Sequence, residues 1–142
     1  MDTDRIRAIE LALALATCAV AQPGYQDTTY PSGKLKIQAY LFKPAGSGPF
    51  PVVIYNHGSR PGLEKQSMPF AYVGNMLTAA GFVVLVPERR GYGTSDGVVF
   101  SKDVGSSRSK RYVERLQEET QDALRVREHY ECEIHVDALV AA

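Results

Sequence analysis

Apolar and polar positions along this chain change period several times, and each change marks an element. Tyr25 to Tyr30 and Leu35 to Phe42 are β-rich runs separated by the turn residues Pro31, Ser32 and Gly33, which predicts an antiparallel hairpin. Lys43 to Pro49 is a glycine- and proline-rich loop, after which Pro51 to Asn56 is a continuous apolar run of the kind found in strands buried on both faces. From Ser67 to Ala80 the residues Phe70, Val73, Met76, Leu77 and Ala80 recur at spacings of three and four, and Gly81 follows, so an amphipathic helix with a glycine stop is expected. Phe82 to Val86 is a second buried-type strand. Strand, helix and strand in that order predict a right-handed parallel crossover and hence a mostly parallel sheet.

Further on, Gly91 to Gly105 is rich in glycine, serine and aspartate and reads as a long loop. Ser109 to Tyr130 resumes a helical pattern, with Tyr112, Val113, Leu116, Thr120, Ala123 and Leu124 as its apolar positions. Glu114 and Glu118, Glu118 and Asp122, and Arg111 and Arg115 are like charges one turn apart, so the charged face predicts a solvated surface with no salt-bridge design and no function of its own. The residues from Ala138 to Ala142 read as a strand just beginning. No internal repeat or low-complexity tract interrupts the pattern.

The first residues stand apart. Arg5 and Arg7 precede an apolar run from Leu11 to Val20 that closes on Ala19-Val20-Ala21, the layout of a signal peptide cleaved after Ala21. That division gives a leader over residues 1–21 and one domain over 22–142, with a secreted or periplasmic destination. Asp2, Asp4 and Glu10 dilute the positive segment, so an amphipathic surface helix on a cytoplasmic protein is the alternative, and a lipoprotein acylated at Cys18 a lesser one. At 142 residues one domain is the ceiling. Sixteen Lys and Arg against 16 Asp and Glu leave no net charge to steer the chain to nucleic acid, and no stretch is long and apolar enough to give the mature chain a stable membrane span. Without its leader the chain keeps Cys132 alone, which excludes an intramolecular disulfide, and no Cys/His spacing calls for a metal or other cofactor.

Two segments carry chemistry. In the first, the strand Val52 to Asn56 runs straight into His57-Gly58 and then Ser59, Arg60, Pro61 and Gly62. In the second, Val84 to Pro87 is followed by Glu88, Arg89, Arg90, Gly91, Tyr92, Gly93, Thr94 and Ser95. Their order and spacing resemble those of the α/β-hydrolases. Within that superfamily, the hairpin ahead of Asn56-His57-Gly58 and the loop from Glu88 to Gly93 most resemble dienelactone hydrolases and the related prolyl-oligopeptidase-type acyl hydrolases. The resemblance runs from about Tyr25 onward. It implies the amino-terminal part of an α/β-hydrolase fold and a serine-type or cysteine-type hydrolase of ester, lactone or peptide bonds that works through an acyl-enzyme. A backbone N–H just after His57-Gly58 would then donate to the oxyanion; residue matching gives Ser59, with Arg60 as the adjacent alternative, and makes His57 a support rather than a general base. Glu88, Arg90, Gly91 and Gly93 are expected to shape the loop after Pro87, its arginine pinning neighbouring backbone, with Arg89 or Tyr92 as the candidates for substrate contact.

Gly93 to Gly97 formally satisfies Gly-x-Ser-x-Gly, but Ser95 has no strand directly before it and no helix directly after, as a nucleophile elbow requires. Cys132 lacks flanking glycines, and His129 and His135 read as helix and boundary residues. The resemblance places the elbow after one more strand than this sequence contains, and the acid and base later still. Nucleophile, acid and base are therefore expected outside it, and the chain alone is expected to be inactive. A catalytically inactive remnant or a binding module is the competing reading. On the family's strand order the edge of Pro51 to Asn56 would lie bare, which predicts self-association.

Overall fold

The expected hairpin forms, with β1 (Gln26–Ser32) and β2 (Leu35–Phe42) antiparallel and Tyr30 opposite Ile37, but its turn is Gly33-Lys34: Pro31 and Ser32, read as turn residues, belong to β1 and lie opposite Lys36 and Leu35. The computed structural model describes residues 24–105, 110–131 and 139–141; the leader with Cys18, and Cys132 and His135, lie outside them. The chain continues through β3 (Val52–Ile54), α1 (Ala71–Ala79), β4 (Val83–Pro87), α2 (Phe100–Val104), α3 (Lys110–Glu131) and β5 (Leu139–Ala141). Among the described residues the strands make one sheet in the order β1-β2-β4-β3-β5, antiparallel from β1 to β4 and parallel from β4 to β5. The crossover from β3 through α1 to β4 gives the expected parallel pair, Val53 opposite Val84. The bare edge expected along Pro51 to Asn56 is not found over 52–54, because β5 lies beside β3 with Val140 opposite Val53.

Each residue of β3 and β4 is buried, which explains their unbroken apolar sequence. Val84 and Val86 face α1 together with Tyr40 and Phe42, while Val83 and Leu85 face α3 with Tyr30, Ile37 and Ala39. Gly74 lets α1 approach closely: a Cβ there would lie 2.4 Å from the Phe42 ring. The helix begins at Ala71 rather than Ser67. The Met68 amide donates to the Glu88 carboxylate at 3.0 Å, and Phe70 takes the left-handed conformation at φ 50 before the first turn can form.

The apolar stripe expected to bury α3 is exposed instead, with Tyr112, Val113, Leu116 and Leu124 each at least 40% accessible. Its buried positions are Arg115, Asp122, Val126 and Tyr130. Val126 and Tyr130 join the apolar core, while Arg115 and Asp122 dock the helix through charge. The expectation of an idle charged face is thus overturned. Arg90 donates to Asp122 at 2.6 and 2.8 Å and to Glu118 at 2.6 Å, Arg111 spans Asp103 and Glu118, and Ser32 Oγ donates to Asp122 at 2.5 Å. The like charges along the helix are neutralised within it, Arg111 with Glu118 and Arg115 with Glu119, and by partners on the loop after β4 and on α2. That loop is not wholly irregular either: residues 100–104 make the short helix that presents Asp103.

Arg111 holds the Asp103 and Glu118 carboxyls below their ordinary values of 3.8 and 4.5. A lowered carboxyl lends stability that is present above its ordinary value and drains as pH falls through the lowered one. Acidification below about pH 4 is therefore expected to loosen α2 and α3 first. In an acid titration followed by circular dichroism, Arg111→Gln should raise the midpoint of the transition and make it shallower; an unchanged curve would show that these pairs contribute nothing to docking.

Candidate active site

The two segments meet at the carboxy ends of β3 and β4, which lie side by side in the sheet. Glu88, the first residue after β4, is 2% exposed, and its carboxylate is the anchor of the site. Oε2 accepts from His57 Nε2 at 3.0 Å and from the Arg60 guanidinium, while Oε1 accepts from the Met68 amide at 3.0 Å and the Tyr40 hydroxyl at 3.3 Å. Three of these donors belong to the loop between β3 and α1. Burial pushes the Tyr40 phenol up to about 12, so at neutral pH it remains a donor.

Aromatic rings close the sides. His57 stacks on Phe70 with centroids 5.4 Å apart and 17° between planes, and the Arg60 guanidinium sits 5.3 Å from the Tyr92 centroid and 5.9 Å from that of Phe70. The left-handed backbone of Phe70 costs a non-glycine residue about 1–3 kcal/mol. It persists where the ring is held by His57, Arg60 and Tyr55 together. Arg60 also donates to the Gln66 carbonyl at 3.1 Å, so one side chain ties the loop both to itself and to the residue that follows β4.

With His57 and Arg60 turned inward, Gly58 and Ser59 arch outward and are exposed. Ser59 Oγ lies 3.4 Å from the Tyr92 hydroxyl. Gly58 is not demanded by the described residues, since a Cβ there would meet no atom within 4 Å. Beside this arch a cleft of about 560 Å³ opens between the strand ends and α3, lined by Asn56, His57, Glu88, Arg89, Leu116 and Glu119 among others. Concavity at the carboxy ends of parallel strands is where open α/β sheets bind ligands.

The loop after β4 is built as its residues suggest, with one reassignment. Gly91 and Gly93 hold positive φ, at 81° and 50°, and a Cβ on either would collide with neighbouring atoms. Arg90 reaches mainly for α3, and the arginine that bonds this loop's backbone is Arg115, which donates to the Arg90 carbonyl at 3.0 Å and the Val98 carbonyl at 2.8 Å. Sequence reasoning missed that role, because an arginine on a charged helix face has no local signature. Arg89 pairs with Glu119 and lies over Tyr92 and Phe100, and Tyr92 is 1% exposed. Ser95 is buried, and its hydroxyl accepts the Gln38 amide at 3.0 Å. That bond ties the loop to β2, and the residues around Ser95 form turns rather than a strand and a helix. His129 lies on α3 against Tyr130, away from these groups. Among the described residues no cluster of three or more His, Cys, Asp or Glu could hold a metal ion, and no helix is long and apolar enough to cross a membrane.

No protein-family model matches the sequence, and no curated protein does. Solved structures do. Acetyl xylan esterase 1 from Thermoanaerobacterium sp. JW/SL YS485 superimposes with a TM-score of 0.59 at 19% identity, over 89% of this chain and 42% of that one. Est1E from Butyrivibrio proteoclasticus, with ferulic acid bound, gives 0.57 at 18% identity over 81% and 41%. DcsB, in complex with a substrate analogue, gives 0.57 at 20% identity over 82% and 36%. These neighbours are α/β-hydrolases, and the likeness at such identities is one of fold: the chain has part of the α/β-hydrolase fold. It spans 36 to 42% of the length of these three structures.

Proposed function

We propose that this chain is part of an acyl hydrolase of the dienelactone hydrolase type, cleaving ester, lactone or peptide bonds through an acyl-enzyme. In this reading the Ser59 N–H, with the Arg60 N–H next in order, donates to the oxyanion of the tetrahedral intermediate. One observation carries it: His57 and Arg60 are both bonded to one buried carboxylate, which restrains the exposed backbone between them. A donor that does not reorganise as charge develops is what oxyanion stabilisation requires. The nucleophile, acid and base lie outside the sequence given. The leader exports the protein, which amino-terminal sequencing after Ala21 tests, and the exposed apolar residues of α3 favour self-association, which a monodisperse monomer in sedimentation would contradict.

The chain alone is expected to show no turnover of p-nitrophenyl acetate and no labelling by a fluorophosphonate; stoichiometric labelling at Ser95 would overturn the reading. The decisive arm is the coding sequence after Ala142, read in all frames for a strand followed by Gly-x-Ser-x-Gly or Gly-x-Cys-x-Gly. Joined to this chain, that segment should give an active hydrolase. There, Ser59→Pro, which removes the amide proton, should lower kcat by about 10²–10³-fold, and Ser59→Ala, which keeps it, should not. Equal losses in both variants would exclude the backbone role.

A further inference from the structure

We propose that His57 is held as a doubly protonated imidazolium and acts, through that charge, as the positioning residue of the 57–70 loop. The partners of both ring nitrogens carry the inference. His57 Nε2 lies 3.0 Å from Glu88 Oε2 and Nδ1 lies 2.7 Å from the Gly58 carbonyl oxygen. A backbone carbonyl only accepts. The Glu88 carboxylate, ion-paired with the Arg60 guanidinium, likewise accepts: from Arg60 on Oε2 and from the Met68 amide and Tyr40 hydroxyl on Oε1. Neutral imidazole has one N–H and would face one of these acceptors with a lone pair; imidazolium satisfies both.

The charged and titratable groups around the ring are Glu88, which favours the added proton, and Arg60, which opposes it. Tyr40 reaches the ring only through Glu88, and Tyr92 stands 5.7 Å away at an inclination of 49°. Arg89, which shares the cleft lining, is turned to Glu119. His57 is 1% exposed at its side chain and Glu88 0%, so the pair is shielded from solvent. Two cations on one carboxylate leave one net positive charge beneath Gly58 and Ser59. Resting on the hydrolase reading above, that is the sign that favours an oxyanion at the same backbone, so the imidazole would serve catalysis by its charge without transferring a proton.

The test is nitrogen NMR of the chain labelled with ¹⁵N-histidine, in solution or sedimented, alongside amide exchange in the loop. At pH 7 both ring nitrogens of His57 should carry protons, and in Glu88→Gln only one should. As pH rises and wild-type His57 loses one of its two protons, exchange at the Leu63 and Gln66 amides, bonded within the loop, should quicken about tenfold beyond its intrinsic pH dependence. This arm needs no substitution and stands if Glu88→Gln fails to fold. A single protonated nitrogen at pH 7 in the folded chain would overturn the proposal, and a doubly protonated ring whose titration leaves exchange unchanged would overturn the positioning role. Neither readout depends on turnover, so failure here is distinguishable from failure of the hydrolase reading.

Discussion

Glu88→Ala is expected to destabilise the chain by about 3–5 kcal/mol, the cost of leaving buried charge without its partner. The variant strands Arg60 and His57 and removes the acceptor of the Met68 amide and the Tyr40 hydroxyl in one step. Since a whole domain is held by only about 5–15 kcal/mol, such a loss brings the chain near the threshold of folding. Tyr40→Phe takes away only a 3.3 Å bond and should cost about 1 kcal/mol. Urea denaturation of the two variants separates them. A triple replacement, Glu88→Leu with Arg60→Met and His57→Phe, should recover much of the stability, because apolar groups of similar volume often replace a buried ionic cluster at no net cost. Recovery of stability while the Leu63 and Gln66 amides still exchange fast would then identify the cluster as one kept for its geometry and charge.

The other large effect concerns Gly91. Its φ of 81° is left-handed, and a Cβ would fall 2.5 Å from the Val98 carbonyl carbon and the Val99 nitrogen. Those are main-chain atoms, which cannot swing aside as a flexible side chain does. Gly91→Ala therefore combines about 1–2 kcal/mol of backbone strain with about 1–3 kcal/mol of overpacking. Gly58→Ala, with open space around its Cβ, should stay within about 0.5 kcal/mol of the wild type. Thermal unfolding of the pair checks this. Equal destabilisation by both would mean that the loop after β4 can be rebuilt around a side chain.

The elements were legible because they rest on local patterns. The unbroken apolar runs at Val52 and Val83 marked buried strands, and the Gly81 stop stands where expected, while the hairpin turn falls at Gly33-Lys34, two residues later than Pro31 suggested. The interior of α3 was not legible. Periodicity takes every Leu and Val of a helix as its inward face, whereas here Leu116 and Leu124 are outside and Arg115 and Asp122 inside. The partners responsible, Arg90 and Asp103, belong to a loop and a short helix, and pairing across the fold leaves no periodic trace in either segment. The setting of His57 was hidden for the same reason. Its motif identified the loop, but the destination of its ring depends on Glu88, brought beside it only by the pairing of β3 with β4.

The strand order also constrains how the chain is made. β2 ends at Phe42, yet its partner opposite β1 is β4, which begins at Val83. On a ribosome adding ~5–20 residues per second, the hairpin emerges several seconds before the strand that completes its far side. During that interval Ala39 to Phe42, mostly buried in the finished fold, offers unpaired backbone to any neighbouring nascent chain. The intervening β3 cannot fill the gap, because its place is beyond β4. Yield in the cell should therefore respond to translation speed and to chaperones that shield extended segments as well as to the stability of the finished fold.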